Sequence, residues 1–91
     1  MPRLVSFSGV VVMMYFGDHP PPHIHVRNGR SGVRGTAEAR FAIGTGALID
    51  GVLPAAQASE VTNWCRRHRS ELLIDWERAQ RYQHPLSRYD S

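Results

Sequence analysis

Gly9-Val10-Val11-Val12-Met13-Met14-Tyr15-Phe16-Gly17-Asp18-His19-Pro20-Pro21-Pro22-His23-Ile24-His25-Val26 joins an apolar run, a turn, a proline triplet and a histidine-bearing strand in eighteen residues. Gly9 opens a continuous apolar run, Val10 to Phe16, which suits a central strand covered on both faces. Gly17-Asp18 is turn chemistry. His19 precedes a proline and is pushed towards an extended backbone. Pro20-Pro21-Pro22 is stiff and polyproline-like. His23 to Arg27 then reads as a second strand, with His23 and His25 on one face and Ile24 and Val26 on the other.

Working outward, Met1 to Ser8 is a lead-in, or at most an edge strand. Asn28 to Gly35 is rich in glycine, serine and arginine and reads as a flexible loop or hairpin end. Thr36 to Ile43 predicts a third strand, Gly44-Thr45-Gly46 a turn, and Ala47 to Ile49 a short fourth strand closed by Asp50-Gly51. Pro54 suits the first turn of a helix, where its missing N–H costs nothing. From there to Arg69, Val61, Trp64, Cys65 and His68 recur at the spacing of an amphipathic helix. Ser70 is a candidate cap for a second helical stretch, with Leu72, Leu73, Trp76 and Ala79 on one side. His84-Pro85 ends helical structure.

Strands first and helices last predict an α+β fold. The expected architecture is a small, mostly antiparallel sheet of three to four strands, followed by one or two C-terminal helices packed on one face. The chain reads as a single domain over residues 1–91: lead-in 1–8, strand-rich part 9–51, helical part 54–82 and tail 83–91.

An apolar content of 42% excludes wholesale disorder. No apolar run approaches the roughly 20 residues of a membrane span, and the amino terminus shows no signal-peptide pattern. Cys65 is the one cysteine, which excludes an internal disulfide and fits a reducing, cytoplasmic setting. A chain of 91 residues buries a modest core, so a partner or a second copy in a homodimer can supply further burial. The net charge is +3, and all eleven basic residues are arginines, whose planar fork suits phosphate and carboxylate. The sign of that charge points to RNA, DNA or an acidic partner.

Three chemistries compete for the histidine–proline segment. His23 and His25, two apart on a strand, can converge on one divalent transition metal ion, with His19 or Asp18 completing the set. Alternatively, imidazoles near their unperturbed pKa of about 6.5 serve as general acid and base at cellular pH. A metal-independent ribonuclease would place His23, His25 and His19 around a phosphodiester. Arg27 would then stabilise phosphate charge and Asp18 would orient an imidazole. In the third reading the segment is structural: Asp18 caps a turn, the prolines shape a connection, and the histidines are a polar strand face. Asp18 and His19 can reach the other two histidines only if the proline run turns the chain back. Arg66, Arg67 and Arg69 fit the favourable end of a helix dipole. Trp64 and Trp76 fit the core.

The same run resembles the start of a family of small bacterial proteins catalogued as domain of unknown function 4160. That family carries Met-Tyr, Asp-His, a variable residue, Pro-Pro and a His-x-His. Here these are Met14-Tyr15, Asp18-His19, Pro21-Pro22, His23 and His25. The likeness continues through Gly51-Val52-Leu53-Pro54, a helix bearing Trp64, and Glu71-Leu72-Leu73 with Trp76, so it covers about Phe7 to Ala79. The stretch Asn28 to Thr36 is longer and more glycine-rich than the family pattern. The resemblance implies no established activity. It implies a frequent gene neighbour encoding another small protein, in a layout similar to toxin–antitoxin pairs. With the charge and the histidines, that makes a nucleic-acid-directed component of such a pair the leading expectation. A non-enzymatic module that docks a protein partner and a metal-binding domain are the alternatives.

Overall fold

A computed structural model describes residues 3–29, 37–86 and 89. Five strands precede two helices: β1 (Arg3–Phe7), β2 (Val10–Met13), β3 (His23–Asn28), β4 (Ala37–Ala42), β5 (Leu48–Gly51), α1 (Ala55–Arg67) and α2 (Arg69–Gln80). The sheet runs in the order β1-β2-β3-β4-β5, and every pair is antiparallel. The α+β class and the antiparallel sheet agree with the sequence reading; the strand count does not. The expected three to four strands become five because the supposed lead-in pairs with β2, with Phe7 opposite Val10 and Ser6 opposite Val11.

Alternation along the strands builds the core. Val10, Val12, Met14, Ile24, Val26, Ala39, Phe41 and Ile43 share one side of the sheet and are buried. Against them pack Val61, Trp64 and Cys65 of α1 and Leu72, Trp76 and Ala79 of α2. The spacings i, i+3, i+4 and i, i+4, i+7 put each set on one helix stripe. No helix among the described residues is long and apolar enough to cross a membrane.

Several boundaries differ from expectation. The first apolar run leaves the sheet after Met13, because Tyr15 and Phe16 lift away to pack on His25 and on Tyr82. Pro54 is the residue before α1 rather than within it, and Ser70 lies inside α2. His68 alone separates the helices: its N–H donates to the Trp64 carbonyl, and its own carbonyl accepts from Leu72 N–H. With those bonds supplied, no side-chain cap is present at the start of α2. Leu73 is exposed, and Asp75 takes its expected place in the core. The expected loop begins one residue later, at Gly29, since Asn28 belongs to β3. Arg30 and Arg34 lie outside the described residues.

Candidate metal centre

The loop from Tyr15 to Pro22 folds Asp18 back over the start of β3. Gly17 makes this turn with φ +64°, a left-handed conformation that a side chain would disfavour. Its N–H donates to the Ala79 carbonyl at 3.0 Å, and a Cβ there would collide with the Tyr82 phenol. The Pro20–Pro21 peptide bond is cis. Pro22 rejoins the sheet by accepting from Ile43 N–H at 3.0 Å. The proline run thus returns the chain, the condition on which a site containing Asp18 depends.

Asp18 Oδ2 lies 2.8 Å from His25 Nε2 and 2.9 Å from His23 Nε2. The imidazole rings of His23 and His25 have centroids 4.9 Å apart, as expected for two residues on one strand face. His25 Nε2–H donates to the carboxylate. His23 behaves differently. Its Nδ1–H donates to the Pro21 carbonyl at 2.7 Å, which fixes the proton on that nitrogen in the neutral ring. Its Nε2 is buried and has no hydrogen-bond partner, although the carboxylate oxygen is close. Nε2 and the carboxylate oxygen are close but are not aligned as a hydrogen bond, so the contact leaves Nε2 unsatisfied. His23 itself is only 1% exposed, and Trp76 of α2 closes over it with ring centroids 5.3 Å apart.

Burial is the largest influence on Asp18 and raises its pKa, but the hydrogen bond from His25, the charge that His23 and His25 carry when protonated, and the His19 backbone N–H together outweigh it. The carboxyl is held below its usual value of 3.8. Tyr15 stacks almost parallel on His25, with centroids 4.0 Å apart and planes 16° apart, fixing the plane of that ring.

Of the other expected site residues, His19 borders the cluster, its ring edge-on to His23 with centroids 6.2 Å apart, and Arg27 stays outside it. His19 is 79% exposed; its backbone N–H and its ring Nδ1 approach Asp18 Oδ1, the oxygen turned from the cluster. Arg27 donates to the Gly29 carbonyl and approaches Met13 sulfur, without entering the cluster. Arg66 and Arg69 donate to the Thr45 and Gly44 carbonyls, so both tie the helices to the β4–β5 turn. Three neighbours escaped the sequence reading: Tyr15, Arg40 and Asp50. Arg40 stands opposite His25 in the sheet, and Asp50 opposite Arg40. Strand pairing is the signal that finds Arg40 and Asp50, and it needs the register; Tyr15 stood in the Met14-Tyr15 motif without a role.

Asp18, His23 and His25 each offer one ligand atom, all within 4.8 Å of one another. Two imidazoles and a carboxylate suit zinc, iron, cobalt or nickel, and three protein ligands leave positions open. Ligand atoms around an ion with bonds near 2.1 Å lie roughly 3.4 Å apart, so an ion would move the Asp18 oxygen about half an ångström further from each imidazole nitrogen. The Nδ1–H bond from His23 to a backbone carbonyl is the arrangement that orients a ligating imidazole.

This is a small α+β protein with a five-stranded sheet, two helices and a histidine–carboxylate cluster where the β2–β3 loop folds over the start of β3, against Trp76 of α2. The chain belongs to the family described as Domain of unknown function (DUF4160), whose model matches residues 9–77. That span includes the whole cluster and leaves out β1 and the C-terminal tail. No curated protein and no solved structure matches the chain.

Proposed function

We propose that the protein binds one divalent transition metal ion through Asp18, His23 and His25, with coordination positions left open to solvent. The buried, unpartnered Nε2 of His23 carries this reading. A lone pair held 2.9 Å from a carboxylate is unfavourable unless a proton or a cation lies between them. A cation accounts for all three groups together. It also explains why the second His23 nitrogen is committed to a backbone carbonyl. The metal-free acid–base reading is weaker, because it needs His23 on a substrate and that ring is buried.

The test is metal binding by the purified, untagged full chain. Isothermal titration with zinc and cobalt should give one site. Trp76 lies against His23, so a paramagnetic ion such as cobalt should quench its fluorescence. Variants His23→Ala and His25→Ala should abolish both signals. A chain that binds no ion after dialysis against zinc, nickel and manganese, with a doubly protonated His23 by NMR, would reverse the proposal.

The second reading is an RNA-directed role in a toxin–antitoxin-like pair. The +3 charge supports it, as does the exposure of His19 beside the cluster. Growth arrest on expression that disappears in Asp18→Asn is its expected result; harmless expression with uncut RNA counts against it.

A further inference from the structure

We infer that the groove beside the cluster binds a small oxyanion, a carboxylate or a phosphate, which bridges the metal ion and the Arg40 guanidinium. This rests on the metal reading above and adds the class of ligand that the open positions take.

Cross-strand register brings the parts together. Met13, His25, Arg40 and Asp50 stand opposite one another in turn across β2, β3, β4 and β5. They lie on the side of the sheet that the helices leave bare, because they alternate with Val12, Ile24 and Phe41 of the core. Tyr15, His25, Arg40 and Asp50 line an open groove of about 430 Å³ on that side. A ligand on the open side of the ion would therefore have Arg40, the cross-strand partner of His25, in the wall of its groove.

Arg40 already shows what it accepts. Its Nε donates to Asp50 Oδ1 at 2.8 Å and its Nη2 to Asp50 Oδ2, the two-pronged pairing of guanidinium with carboxylate. Asp50 is half-exposed on the edge strand β5 and loses little if displaced into water. It occupies the fork as a ligand oxyanion would. The hydrogen bonds from Asp50 raise the Arg40 pKa first, and the field of Asp18 adds to them, so the fork lies within electrostatic reach of the cluster. Asp50 in turn has its pKa lowered mainly by Arg40 and further by His23 and His25.

The experiment loads the full chain with cobalt and follows its visible absorption during titration with inorganic phosphate and, separately, acetate. A saturable spectral change with either is expected. Arg40→Gln should weaken the anion by about tenfold or more, the scale of a lost charge-assisted pair, in a protein that still binds cobalt. Asp50→Asn should strengthen it, because the built-in competitor is gone. A merely structural Arg40–Asp50 pair would not move the two variants in opposite directions. Cobalt bound with no response to either anion overturns this inference alone, as does an Arg40→Gln protein that responds like the parent. No cobalt binding at all overturns the metal reading and this inference with it. Response to phosphate but not acetate assigns the ligand to phosphates, and the reverse to carboxylates; both sustain the inference.

Discussion

His23 Nε2 faces Asp18 Oδ2 across 2.9 Å with no hydrogen bond between them, while His23 Nδ1 is tied to the Pro21 carbonyl. Under the metal reading, an ion held between these two groups beneath Trp76 would satisfy both. Binding to the folded state alone raises stability by mass action, by about 2.7 kcal/mol at a hundredfold excess over Kd. For a domain of this size that is a shift of roughly 10–20 °C in Tm. Zinc should therefore raise the melting temperature of the parent protein by this order. Asp18→Asn, which keeps the shape and removes the charge, should lose most of the shift. Equal zinc shifts in the two proteins by scanning calorimetry would place the ion elsewhere.

Leu72 and Leu73 are neighbours in α2 with opposite surroundings. Leu72 is fully buried, whereas Leu73 is 38% exposed. Leu72→Ala should cost about 2–5 kcal/mol, from lost transfer energy plus the cavity left behind. Leu73→Ala should stay within about 0.5 kcal/mol, as for a surface change without special contacts. Urea unfolding of the two variants measures the difference directly. Comparable losses would mean that α2 is rotated about its axis.

That pair shows where the sequence was legible and where it was not. Period-two alternation placed Ile24 and Val26 in the core and His23 with His25 on the other face, because strand geometry is local. Trp64 and Trp76 were readable as core for the same kind of reason. The α2 stripe was half read: Leu72, Asp75, Trp76 and Ala79 follow the helical spacing, and Leu73 does not. Hydrophobicity outranked periodicity in the choice of Leu73. Asp18 could not be assigned from spacing, because its place depends on how three prolines turn. β1 was read only as one of two options, lead-in or edge strand, because a short edge strand, Arg3–Phe7, carries little pattern of its own and is specified by its partner. Arg40 and Asp50 joined the site through register, a long-range property.

Cys65 is fully buried in α1, and burial pushes its thiol up from 9.0 to about 12. The thiolate is the reactive form, so the native protein should resist thiol reagents at pH 8 and react once unfolded. The sign of the linked pH effect follows. With the folded pKa above the unfolded one, the thiol's contribution to stability is complete below pH 9 and is lost as pH rises towards 12. Cys65→Ala should remove that alkaline slope between pH 9 and its upper limit, whatever it does to stability at neutral pH. An unchanged slope in denaturant titrations at several alkaline pH values would assign the loss to other groups.

Asp75 is buried among Leu72, Trp76 and Ala79, and its partners come from the chain's last stretch. Oδ1 accepts from the Leu86 N–H at 3.0 Å, and Oδ2 accepts from the Tyr89 hydroxyl. The Tyr89 ring packs against Trp64 and His68 at centroid distances of 5.4 and 5.5 Å. A buried carboxylate holding two donors across 11 and 14 residues fastens the C-terminal segment to both helices. Hydrogen bonds to a charged group contribute about 1.5–3 kcal/mol each, and losing one partner leaves the other group unsatisfied. Asp75→Ala should therefore destabilise the protein by at least 2 kcal/mol, on the order of one such bond plus an unsatisfied donor. Tyr89→Phe, which keeps the ring and removes one bond, should cost less, about 1–2 kcal/mol. In the double variant the losses should fall short of additive, since the hydroxyl and the carboxylate share one bond; fully additive losses would show that the two act independently.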